Sequence, residues 1–98
     1  MQFGDKIKEL RESRELLQRQ LAANLEIDTP MYSKIERGDR KAKREQVIQL
    51  AALLETDVAA LLTLWLADQV FDLLKNEPNA MDVLTSVSKS INTTNKKY

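Results

Sequence analysis

Apolar residues recur along this chain at helical spacing. Phe3, Ile7 and Leu10 stand at i, i+4 and i+7 with charges on the other face, predicting a helix over residues 3–14. Leu21, Ala22 and Leu25 predict a short second helix over 18–25. A third is bracketed by its ends: Asp28 is a good N-cap, Pro30 fits the first turn where a missing N–H costs nothing, and Gly38 supplies a left-handed stop after Arg37. Val47, Leu50, Ala51 and Leu54 predict a fourth helix over 44–54. Asp57 caps a fifth, which meets no breaker before Asn76-Glu77-Pro78, and Asn79 opens a sixth reaching about Ser90. Residues 91–98 read as a frayed polar tail.

Composition narrows this to one small all-helical domain with a short extension. The 98 residues are 43% hydrophobic and 31% charged, with only two Gly and two Pro and few aromatics. There is no Cys and no His, which removes disulfides, thiolate metal sites, and the commonest general base and metal ligand. The longest apolar-rich run, residues 47–66, is interrupted by Glu55 and Asp57, so no membrane span is expected. The opening residues lack the layout of a signal peptide. A cytoplasmic, non-enzymatic protein without cofactor or metal is the expectation. Glu12 and Glu15 read as a solvated helix face, and Asn92-Thr93-Thr94 as a sequon without secretory context.

Fifteen basic and fifteen acidic residues cancel, yet they are unevenly placed. Residues 34–44 carry six cations against Glu36 and Asp39, a local charge of plus four. Such a patch is an electrostatic footprint or a solvated loop. Lys43 and Arg44 tip the balance, because they open a helix, where the macrodipole disfavours cations by roughly 0.3–1 kcal/mol.

Residues 18–38 are the informative stretch. Two short helices flank about three residues; Ala22 lies where crossing helices must approach, and Ile27 plugs the turn. Tyr32 and Ile35 face inward, leaving Thr29, Pro30, Ser33, Lys34 and Arg37 outward on a polar, basic face that suits a major groove. With Leu10-Arg11, Gln18, Leu21-Ala22, Ile35-Glu36-Arg37-Gly38, the basic loop and Leu50-Ala51, residues 7–61 resemble a helix-turn-helix domain of the Cro/repressor (XRE) type. The fold this implies is a five-helix, lambda-repressor-like domain.

The resemblance also implies roles. Thr29, Pro30, Ser33 and Lys34 match positions facing base edges or neighbouring phosphates. Gln18, Arg37, Arg40, Lys41, Lys43 and Arg44 match phosphate contacts, and Arg11 with Glu36 matches a structural ion pair. Three residues depart from the family pattern: Leu17 where Ser or Thr caps the second helix, Glu26 where Gly is common, and Pro30 where a hydrogen-bonding reader often stands.

Helix five adds a second theme. Apolar side chains cover roughly 300° of its circumference, leaving Asp68, Asp72 and Lys75 as its polar strip. Either helix six folds back to cover it, or a partner copy does, or both. Leu64, Trp65, Phe71 and Leu74 are the interface candidates, with core packing an alternative for Trp65. The organisation expected is a DNA-binding domain over 1–61, a helical dimerisation extension over 62–90, and a flexible tail over 91–98. The function expected is a homodimeric transcriptional regulator on double-stranded DNA with a palindromic operator, with a protein partner conceivable and no membrane involved. Small regulators of this family resemble restriction–modification controllers and antitoxins. The rival is an interaction module that sequesters another regulator through its last two helices.

Overall fold

The computed structural model describes residues 1–95, and every regular element among them is a helix. In order these are α1 (Gln2–Ser13), α2 (Gln18–Asn24), α3 (Thr29–Arg37), α4 (Arg44–Leu53), α5 (Val58–Leu74) and α6 (Ala80–Asn95). The protein is therefore all-α, and its first five helices start and stop within a residue or so of the positions their apolar spacing and caps predict. Asp28 Oδ1 accepts from the Met31 N–H at 2.7 Å and Asp57 Oδ2 from the Ala60 N–H at 2.9 Å, so both acidic caps work as read. No helix among the described residues is long and apolar enough to cross a membrane.

The core is assembled from one stripe of each of the first five helices. Phe3 and Ile7 of α1, Leu21 and Ala22 of α2, Tyr32 and Ile35 of α3, Val47 and Leu50 of α4, and Leu61 and Trp65 of α5 are buried together. Ile27 packs half-buried beneath the turn between α2 and α3. Gly4 allows α1 to cross the end of α3, since a Cβ there would collide with the Glu36 carbonyl.

Four helices end in the same way. Gly38, at φ +82°, closes α3, with the Asp39 N–H bonded back to the Lys34 carbonyl at 2.9 Å. Glu15, Glu26 and Glu55 take the equivalent left-handed position after α1, α2 and α4, at φ +57°, +59° and +51°. Leu16, Ile27 and Thr56 then donate to the carbonyls of Arg11, Ala22 and Ala51. Glu26, standing where Gly is common in the family pattern, thus adopts a backbone conformation that favours Gly, and the same strain recurs at two further turns. Replacing Glu26 by Gly removes a Cβ clash and is expected to raise the unfolding free energy by up to about 1 kcal/mol. A higher urea midpoint at constant m would register it; an unchanged midpoint would mean that the turn carries no such strain.

Two expectations need correction here. Asp68 is not part of a solvated polar strip: it is buried, and its carboxylate accepts from the backbone N–H groups of Gln2 and Phe3 at 3.0 and 2.9 Å. It caps α1 from 65 residues away, where Met1 offers no side-chain cap. The polar tail begins later than expected, because α6 continues through Ile91 to Asn95. Thr85, Ser90 and Thr94 each donate to the carbonyl four residues back, which accommodates hydroxyl side chains within the helix. The remainder of the expected tail, residues 96–98, lies outside the described residues.

Candidate nucleic-acid interface

The outward face of α3 follows from its inward one. Burying Tyr32, Ile35 and Glu36 leaves Thr29, Pro30, Lys34 and Arg37 exposed and Ser33 half-buried. Ser33 Oγ accepts from Arg37 Nη1 at 3.1 Å, and Arg37 Nε is paired with Asp39 at 3.1 Å. The loop that follows presents Arg40, Lys41 and Lys43 to solvent, with Arg44 exposed at the first position of α4. Among the described residues none of these four forms an ion pair, although the chain has as many acids as bases. Four uncompensated cations within five residues concentrate positive potential beside the exposed end of α3.

Gln18 stands half-buried at the start of α2, and one N–H of its Nε2 donates to Glu36 Oε1 at 3.0 Å, which turns the amide toward that carboxylate. Leu17 provides no side-chain cap there; Oε1 of the Gln20 side chain instead accepts from the Leu17 N–H at 2.7 Å.

Beneath α3 lies a compact polar network. Arg11 meets Glu36 through two parallel bonds, Nε to Oε2 at 2.7 Å and Nη2 to Oε1 at 3.1 Å, and Arg11 Nη1 also donates to the Leu16 carbonyl at 3.0 Å. Burial pushes the Glu36 carboxyl up, but the hydrogen bonds and charge of Arg11 and the hydrogen bond from Gln18 hold it below the ordinary carboxylate value. The Tyr32 phenol is driven well above its usual range, first by burial and then by the neighbouring Glu36 carboxylate. This network locks α1, α2 and the C-terminal end of α3 together, so the exposed face of α3 is carried on a rigid base.

The interface expected on α5 is corrected in part. Trp65 and Leu74 are buried within the single chain, and Leu64 packs half-buried against the core. The face α5 gives to the body is Leu61, Trp65 and Asp68, at i, i+4 and i+7, which consumes Trp65. Phe71 alone of the four candidates is exposed, at 58%. Its neighbours Leu66, Val70 and Leu73 on α5 are exposed as well, as are Met81, Leu84, Val87 and Ile91 on α6, the residues a folded-back sixth helix would set against α5. Ala80, Leu84, Val87 and Ile91 follow a 4-3-4 spacing that keeps one helical stripe apolar. No residue of α6 is buried, and Leu66, Val70, Phe71 and Leu73 of α5 stay exposed, so α6 does not cover that side of α5 as a folded-back sixth helix would.

No curated protein and no solved structure matches this chain. One family does: the helix-turn-helix domain, over residues 2–64. That span contains α1 to α4, the four-residue turn joining α2 to α3, and the start of α5. The match covers more than half the chain and coincides with the buried Arg11–Glu36 base and the exposed α3 face, and on that ground the chain belongs to the helix-turn-helix domain family.

Proposed function

We propose that this protein is a sequence-specific DNA-binding transcriptional regulator acting as a homodimer on a palindromic operator. The observation that carries the reading is the exposed, unpaired cation cluster Arg40, Lys41, Lys43 and Arg44 next to the polar outer face of α3. In it, α3 enters the major groove, Thr29, Ser33 and Lys34 meet base edges with Pro30 in apolar contact, and Arg37 and the loop cations grip phosphates. Gln18 contributes by bracing Glu36. By resemblance to the Cro/repressor type, regulation of a restriction–modification operon or of a toxin–antitoxin pair is the setting proposed.

Dimerisation is supported by exposed apolar surface. The free parts of Leu66, Val70, Phe71, Leu73, Met81, Leu84, Val87 and Ile91 amount to roughly 800 Å², about one partner's share of a standard interface. A two-fold pair would present two α3 helices about one duplex turn apart, roughly 34 Å. The same exposed surface favours the rival reading, in which these helices hold another regulator.

Selection from a random duplex pool at about 150 mM salt tests the proposal, since that concentration suppresses weak ionic binding. Recovery of an inverted repeat with half-sites one turn apart supports both readout and symmetry. No enrichment by folded protein would favour the interaction module. In the same assay Lys41→Ala and Arg44→Ala are expected to weaken binding to every sequence and to reduce the slope of log K against log salt by about 0.9 each. An unchanged slope in both variants rules out the phosphate assignment. Ser33 and Lys34 variants should instead change which sequences are preferred.

A further inference from the structure

Trp65 belongs to α5, yet it makes its polar contacts with the basic loop. The residue is 9% exposed, and its Nε1–H donates to the Ala42 carbonyl at 2.9 Å. The guanidinium carbon of Arg44 lies 5.2 Å from the centroid of its ring, within cation–π range. Ala42, at 2% exposure, is the one buried residue between Gly38 and Arg44. It divides the cation cluster into Arg40-Lys41 before it and Lys43-Arg44 after it.

The rest of the loop is anchored only at its ends. The Asp39 and Arg40 N–H groups bond the Lys34 carbonyl at 2.9 and 3.3 Å, and the Lys43 N–H bonds Gln46 Oε1 at 2.9 Å. Among the described residues Lys41 and Ala42 find no backbone N–H bond of this kind, so the middle of the loop is fixed by the buried Ala42 methyl and the indole beneath it. The loop has no regular structure of its own to set where its cations point.

We infer that Trp65 is a positioning residue for phosphate recognition: it pins the loop at Ala42 and seats the Arg44 guanidinium on its ring, so that the two cation pairs are held ready for the DNA backbone. The inference rests on the DNA-binding reading above and extends it to a residue that touches no DNA. Preorganisation is the physical content, since cations held in place lose less conformational freedom on meeting phosphates than cations on a loose loop.

Trp65 is the only tryptophan in the chain, so its emission reports on this site alone. Arg44 places a full charge against the ring, and a phosphate reaching Arg44 alters the field there. Titrating the full chain with a 30-base-pair duplex of unrelated sequence at low salt should therefore shift or quench the emission, a response that Arg44→Ala abolishes at saturating duplex. Trp65→Phe keeps an aromatic face and loses the indole donor. It should bind the same duplex about fivefold more weakly, the worth of one hydrogen bond, with a shallower salt slope. Trp65→Leu loses the ring as well and should be weaker still. Helical circular dichroism at the assay temperature identifies folded variants, and the emission arm uses the wild-type core. Silent emission in saturated wild-type protein, or an unchanged slope in folded Trp65→Phe, overturns the positioning role while DNA binding itself stands. Absence of duplex binding by the wild type at any salt overturns the DNA reading, and this inference with it.

Discussion

Arg11→Ala is expected to lower the unfolding free energy by about 3–5 kcal/mol, a large part of the 5–15 kcal/mol typical of a small domain. Arg11 and Glu36 are 11% and 3% exposed at their side chains, so the substitution strands a carboxylate in a site that water hardly reaches. It also removes the donor to the Leu16 carbonyl, which helps set the turn between α1 and α2. Urea unfolding by circular dichroism would measure the loss as a lower midpoint at similar m. A loss under about 1 kcal/mol would mean that water replaces the guanidinium readily. Replacing both partners by apolar residues of similar volume, as in Arg11→Met with Glu36→Leu, should restore much of the stability, because the cost lies in the unpaired charge. The same network fixes a pH dependence. The folded-state pKa of Glu36 is lowered, so its stabilisation is fully present above the ordinary value of 4.5 and is lost as pH falls through the lower folded value. Glu36→Gln should flatten the stability profile in that acidic window.

Asp68→Ala is the second substitution of large expected effect, at about 2–4 kcal/mol, because it deprives two N–H groups of a charged acceptor. One of them, that of Phe3, is buried. The carboxylate also sits at the positive end of α1, and the loss of that interaction adds to the deficit. Asp68→Asn keeps one acceptor oxygen without the charge and should fall between the two. Hydrogen exchange would localise the effect: the first turns of α1 should lose protection while α2 and α3 keep theirs. Uniform loss across the domain would contradict a capping role.

Most of the helix-turn-helix unit is legible in the sequence because its determinants are local. Asp28, Asp57 and Gly38 act on the backbone within a few residues of themselves, and Tyr32 and Ile35 follow one helical face. Asp68 was illegible for the opposite reason. A helical wheel puts it near Asp72 and Lys75, and nothing around it says that the start of α1 lies there. The available clue was an absence at the other end, since Met1 and Gln2 give α1 no cap of its own. Trp65 illustrates a second limit. Apolar residues surround α5 almost completely, so periodicity alone leaves interface and core both open for Trp65, and the structure puts it in the core. On α6 the polar residues from Ile91 onward read as a tail, yet the helix runs to Asn95, with hydroxyls taken up by carbonyls one turn back. The exposed face of α3 is legible in position, whereas the inward turn of Gln18 depends on Glu36, eighteen residues away.

α6 is a sixteen-residue helix with no buried side chain. Isolated helices of that length are marginal in water, so its order is linked to whatever covers its stripe of Leu84, Val87 and Ile91. If a second copy provides that cover, folding of this segment becomes a mass-action process whose apparent stability rises with the logarithm of protein concentration. At low abundance the chain would then be a well-folded head with a fraying extension, and at high abundance a paired unit. A regulator built this way measures its own concentration through the helicity of its last helix.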